Sequence, residues 1–444
     1  MRICFFLVAV ALILHATPGR AQNASSTDSL AAEVARLRRE IETLKATAAR
    51  QEERLMEIDE RTEQTAPATT SDSAKRKISS ARGIYGKPFV AKFGNRTALG
   101  GYVDFEYRNN FTKKTSVFDQ QRLIPFIFAE ITDQLHFGTE IEFEHAPRIE
   151  VEDGVAEGGG AVEVEFATLD YTLSEAFNVR GGLLLSPLGR FNLVHDSPIN
   201  DLTDRPLMHR DIIPTTLSEP GFGFFGTVYP SERAVLSYEA YLVNGFTSHI
   251  ITEDGVRVRD GRSIGEEDNN NAKSFVGRLA FSPFLGLELG ASAHTGAFAS
   301  RDGAFRGNER LTIAALDATL QRGPVELLGE YSQLSADLPA TLRATGVADA
   351  QSGLYVQGNL HFGSGILAPK ATSVFTGVVR YDRVDFDRDA AGDTRERVTL
   401  GINWRPVGES VLKADFQWNW ATAAGTDTRK SGDRALRLSM ASYF

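Results

Sequence analysis

Apolar and polar residues alternate with a period of two over most of this chain, and that period decides what it can fold into. Between residues 97 and 444 the alternation forms sixteen segments. They run at about 98–108, 121–131, 134–145, 161–172, 176–186, 220–229, 235–243 and 273–282, then 285–296, 309–320, 324–335, 350–362, 373–386, 394–405, 409–422 and 433–443. In one of them Leu412, Ala414, Phe416, Trp418 and Trp420 share a face, with Lys413, Asp415, Gln417 and Asn419 on the other. Most segments have the length of a tilted strand that crosses a bilayer. Tight links such as Thr132-Asp133 and Arg322-Gly323 contrast with long ones such as 146–160, 244–272 and 297–308. A soluble sandwich gives the same alternation, but it does not explain an even strand count or links segregated by length. The expectation is an all-β fold: a transmembrane antiparallel β-barrel of 16 strands over 97–444. Its apolar face meets lipid and its polar face meets a lumen, because only a closed ladder satisfies every backbone group in hydrocarbon. Tyr102, Tyr107, Tyr171, Tyr229, Trp404, Trp418, Trp420 and Tyr443 near strand ends read as interfacial belts.

The N-terminal part has a different pattern. Residues 1–21 read as a signal peptide: Arg2, an apolar run over 3–14, then Pro18-Gly19-Arg20-Ala21. Over 22–64 the residues Leu30, Val34, Leu37, Ile41, Leu44, Ala48, Gln51, Leu55 and Ile58 recur at heptad spacing. That predicts a short periplasmic coiled-coil helix able to join subunits or touch the cell wall. Residues 65–96, with Pro67 and many Ser and Thr, are a linker and barrel lead-in. The one cysteine, Cys4, excludes an intramolecular disulfide and thiolate metal clusters. A balance of 48 basic to 58 acidic residues, with no basic tail, argues against nucleic acid as a partner.

One long link, about 187–219, resists alternation without being low in complexity. It carries Arg190, His195, Asp196, Asp201, Asp204, Arg205, His209, Arg210 and Asp211, and prolines at 187, 198, 206 and 214 stiffen it. Such a segment can fold into a barrel and narrow it, turning its charges toward a passing solute. Its histidines and carboxylates match no specific metal or catalytic spacing, and Ser197 and Ser218 lack a nucleophile setting. No catalytic residue, metal or cofactor is therefore expected, and the chain is not read as an enzyme. The lumen wall is expected to carry Glu140, Glu142, Glu144, Glu163, Glu165, Arg180, Arg397 and Lys413. Acidic groups outnumber basic ones on the polar faces, which predicts a weak preference for cations.

The whole arrangement resembles the phosphate-selective porin O/P-like family of Gram-negative outer membranes. The most specific stretch is Val179–Gly226, with GGLLLSPLGRFNLVHDSP, DLTDRP and IIPTTLSEPGFGFFG in order, and the chain ends in Phe444. The resemblance implies an outer-membrane channel, usually a homotrimer, with lipid around it and small hydrophilic solutes and ions passing through. It places 187–219 as the inward-folded third loop. The family's lysine-rich constriction is not matched, since 187–219 contains Arg190, Arg205 and Arg210 but no lysine. Two alternatives accompany the cation-preferring porin. One is an anion- or phosphate-selective porin. The other is an outer-membrane anchor whose coiled coil tethers the cell wall.

Overall fold

A computed structural model describes residues 91–93, 96–152, 155–263, 270–301, 305–367 and 373–444. The expected signal peptide, the coiled-coil helix and nearly all of the linker lie outside these residues.

Sixteen strands close into one antiparallel barrel. The first eight are β1 Thr97–Asn110, β2 Thr115–Glu130, β3 Leu135–Glu152, β4 Val155–Thr172, β5 Asn178–Leu185, β6 Ser218–Val228, β7 Val235–Val243 and β8 Ser274–Phe284. The rest are β9 Leu287–Ala297, β10 Arg310–Arg322, β11 Val325–Ala336, β12 Ala350–Phe362, β13 Val374–Asp385, β14 Thr394–Val407, β15 Ser410–Thr422 and β16 Arg429–Tyr443. Each strand pairs with its sequence neighbours, and β16 returns to β1 with Arg437 opposite Arg108 and Tyr443 opposite Tyr102. A three-residue lead-in, Ala91–Phe93, pairs with the start of β1.

Burial inverts the soluble rule. Leu242, Leu316, Val356, Val379 and Met440 point outward and are exposed, while Asp382, Thr399, Arg380 and Asp415 point inward and are buried. An apolar belt outside a closed ladder of backbone bonds is what hydrocarbon requires. No helix among the described residues is long and apolar enough to cross a membrane.

Two long links fold inward. One spans residues 186–217, slightly tighter than the expected 187–219, because Ser218 and Glu219 already pair in β6. It contains a single helical turn, α1, Met208–Asp211. The other spans 244–273 and was expected to be an ordinary long loop. Its described part forms 3-10 turns at Ser248–Ile250 and Val258–Gly261, and a two-residue hairpin between them. Phe246, Ile250, Val256 and Val258 from this segment bury with Met208, Ile212 and Ile213 of the first loop. The inward side chains Ile313, Leu334 and Val384 join the same core. Burying each such side chain is worth about 1.5–3 kcal/mol, which offsets the entropy of holding two loops inside a barrel. Gly353 on β12 makes the approach possible, since a Cβ there would fall 2.6 Å from Met208 Cβ.

Two further expectations are corrected. The link 146–160 is not a loop: the β3–β4 ladder resumes beyond a register shift after Glu144 and continues to Glu152 opposite Val155. Tyr102 and Tyr443 do not belong to an interfacial belt, because both are buried inside the barrel, packed edge-on with Phe126 nearby.

Candidate functional site

The loop 186–217 is built from its stem. Asn192 ties the two ends together, donating to the Ser186 carbonyl at 2.8 Å and accepting from the Leu217 amide at 3.0 Å. Gly189 turns the chain at φ 69°, and a Cβ there would fall 1.9 Å from Glu330 Oε1, so only glycine fits. Its amide donates to Ser292 on β9, and the Phe191 amide donates to Glu330 on β11.

From Asp196 onward the loop lies against the far wall. Tyr443 donates to Asp196 at 2.9 Å, and Lys413 to the Ser197 carbonyl at 2.7 Å. Asp201 accepts from Arg405 at 3.1 Å, Asn403 at 3.1 Å and Asn359 at 2.8 Å. Asp204 faces Arg437 at 3.3 Å and Arg397 at 3.5 Å, and accepts from Gln417 at 2.8 Å. Burial disfavours its charge, but Arg437 and Arg397 outweigh that and hold its carboxyl down at about 2. Arg380 and Arg397 also donate to the carbonyls of Asp204 and Arg205, and Asp382 accepts from the Leu207 amide. Within α1, His209 contacts Thr215 at 3.0 Å and Glu330 at 3.1 Å. Arg210 is exposed beside Asp211, which Arg395 approaches at 3.7 Å.

The wall acids are largely engaged. Arg122 on β2 holds Glu142 at 2.5 Å and Glu144 at 2.8 Å. His195 meets Glu165 at 3.2 Å, and Arg180 pairs with Asp170 at 2.7 Å and Glu239 at 3.4 Å. Glu140 is buried, and Glu163 is half-buried. The residues expected on the loop lie on segment 186–217, with Arg210 exposed, and those expected on the wall are buried or half-buried. Part of the acidic excess, however, is met by cations that sequence reading did not place on the wall: Arg122 and Arg405.

A cavity of about 150 Å³ opens between the loop and the wall, lined among others by Arg190, Arg205, Arg122, Arg380, Asp201 and Tyr355. The Arg190 side chain is half-buried and makes no hydrogen bond or salt bridge with the described residues. Arg205 anchors one nitrogen on the Thr215 carbonyl at 2.8 Å, while its Nε and Nη2 have no partner. Burial and then the neighbouring Arg122 push the Arg205 guanidinium below its ordinary range. Arg259, from the second inward segment, donates to the same Thr215 carbonyl. Burial, then Arg262 and Arg205, bring it down to about 10. The guanidinium groups of Arg122, Arg205, Arg259 and Arg262 therefore feel one another across the loop.

The chain is a closed barrel of sixteen membrane-length strands, apolar outside, with a pinned loop folded inward. Solved structures agree on the fold. An anion-selective porin from Comamonas acidovorans superposes with a TM-score of 0.50 at 12% identity, covering 78% of this chain and 99% of that one. Salmonella typhi OmpF, solved with daunomycin, gives 0.50 at 11% identity, covering 79% and 98%. No known protein-family pattern matches the chain. An uncharacterized protein of Aquifex aeolicus is 32% identical over 340 residues, covering 72% of this chain and 74% of the relative. The chain belongs to the same family as that Aquifex protein.

Proposed function

We propose that the protein is an outer-membrane porin through which small hydrophilic solutes diffuse passively, with a preference for anions. The carrying observation is the state of the charges at the cavity. The Arg190 side chain and two nitrogens of Arg205 make no hydrogen bond there, whereas Glu142 and Glu144 face Arg122, Asp201 faces Arg405, and Asp204 faces Arg437 and Arg397. The narrowest ring acts on the ion most closely, so these two guanidinium groups outweigh a count taken over the whole wall. This reading replaces the cation preference expected from that count. At 4 Å a unit charge is worth about 1 kcal/mol even in bulk water, a factor of about five in relative permeability. One of the fold neighbours is itself an anion-selective porin, which accords with this reading. The resemblance to the phosphate-selective O/P-like porins supports a homotrimer, with the helix over 22–64 joining subunits in the periplasm or touching the cell wall.

The test is the reversal potential in a planar bilayer under a tenfold KCl gradient. The parent should favour chloride, and Arg190→Gln with Arg205→Gln should bring the potential close to zero. A cation preference in the parent, abolished by neutralising Glu142 and Glu144, would restore the wall as the selective element.

A further inference from the structure

Beside the channel cavity, three side chains from three elements converge. Glu140 on β3, Glu165 on β4 and His195 on the inward loop each offer a ligand atom, and these atoms lie within 4.8 Å of one another. All three are buried, at 0%, 2% and 2% exposure.

Two observations indicate what fits between them. The first is the tautomer of His195. Its Nδ1 is 2.9 Å from the Asn192 carbonyl oxygen. A carbonyl only accepts, so Nδ1 carries the proton and a neutral ring presents its lone pair at Nε2. That lone pair points at Glu165 Oε2, 3.2 Å away. Two lone pairs at that distance repel unless a cation or a proton lies between them. A backbone carbonyl on the outer nitrogen is also how metal-binding histidines are oriented. The second observation is independent. Tyr102 on β1 is 0% exposed, and its hydroxyl has no partner. Asp196, Glu165, Arg122 and Glu142 all act on it electrostatically.

We propose that Glu140, Glu165 and His195 bind one divalent cation of the zinc class, which staples the constriction loop to the β3–β4 wall. Two carboxylates and a neutral imidazole carry two negative charges and need no further counter-ion. One nitrogen and two oxygens suit Zn²⁺; Ca²⁺ and Mg²⁺ take oxygen alone. The remaining position is open to water. The ion would act on the loop and not on a reaction: its removal frees the loop at His195 while the stem at Asn192 holds. This proposal does not depend on the anion preference.

The full chain, folded in detergent, is stripped with a chelator, reloaded with Zn²⁺ and dialysed, and its metal is measured by mass spectrometry. About one zinc ion per chain is expected. His195→Gln and Glu140→Gln should each lower zinc retention at least tenfold, whereas the exposed His249→Gln should retain it. Zinc-edge X-ray absorption of the parent alone should report nitrogen and oxygen ligands without sulfur, which keeps the proposal testable if either variant fails to fold. A folded parent that holds no zinc after dialysis overturns the proposal and leaves a shared proton between His195 and Glu165. Zinc retained equally by the His195 and Glu140 variants overturns it too.

Discussion

Asp204 shows how one side chain seats a loop. Its carboxylate is shared by Arg437, Arg397 and Gln417, from three strands of the far wall. Held at about 2, below the ordinary aspartate value of about 3.9, it lends stability that is fully present above about pH 4. That stability is lost as pH falls through the folded value. Pepsin, which works in acid, should therefore begin to cut within 186–217 as pH drops from about 4 to about 2, with the barrel still intact. Asp204→Asn should be cut across the whole range and lose the pH dependence, because removing a buried partner costs about 1–3 kcal/mol. An identical cleavage profile for parent and variant would remove Asp204 from the seating of the loop. The charged residues of this loop are visible in the sequence, but their partners are not. Arg405 and Asp201 are 204 residues apart, and no period connects them.

At the level of elements, the sixteen strands were legible because the side-chain period of two survives wherever one face meets lipid. Segment 121–131 shows where the pattern turns ambiguous. Leu123 faces out, yet Ile124 and Phe126 face in and are buried against Tyr102 and Tyr443. Both faces of β2 are apolar there, so polarity does not mark inside from outside, and Arg122 goes unnoticed as a lumen cation. The second inward segment was illegible for a related reason: its apolar residues are spaced by turns and follow no period. Two substitutions separate wall from loop. Leu400→Arg places a charge against lipid and should cost about 2–4 kcal/mol near the midplane, read as a lost heat-modifiable band on gels. Gly353→Leu should leave that band in place. The new side chain meets Met208 Cβ, and overpacking of about 1–3 kcal/mol displaces α1. The expected readout is faster proteolysis inside 186–217. Lys413→Gln, which alternation alone marks as harmless, should resemble Gly353→Leu, since Lys413 donates to the carbonyls of Ser197 and Leu202.

For the whole molecule, the question is which charges a passing ion feels. Pairs such as Arg122 with Glu142 and Arg397 with Asp382 are dipoles to a distant ion, and their fields fall off faster than those of single charges. Unpaired charges act further. Arg190 and Arg205 are on the loop and line the cavity. Screening distinguishes the two sources. The Debye length falls from about 10 Å at 0.1 M salt to about 3 Å at 1 M, which removes the influence of charges far from the path and only weakens those in contact with it. A preference set at the constriction should fall about twofold between these concentrations and remain measurable at 1 M. One set by the wall as a whole should vanish. Arg190→Glu carries the argument furthest, because it changes the sign of one charge while leaving the wall pairs intact. Its permeability ratio should move toward cations at both salt concentrations. If it shifts only at 0.1 M, the selective charges lie away from the loop, and the pinned segment narrows the channel without choosing its ions.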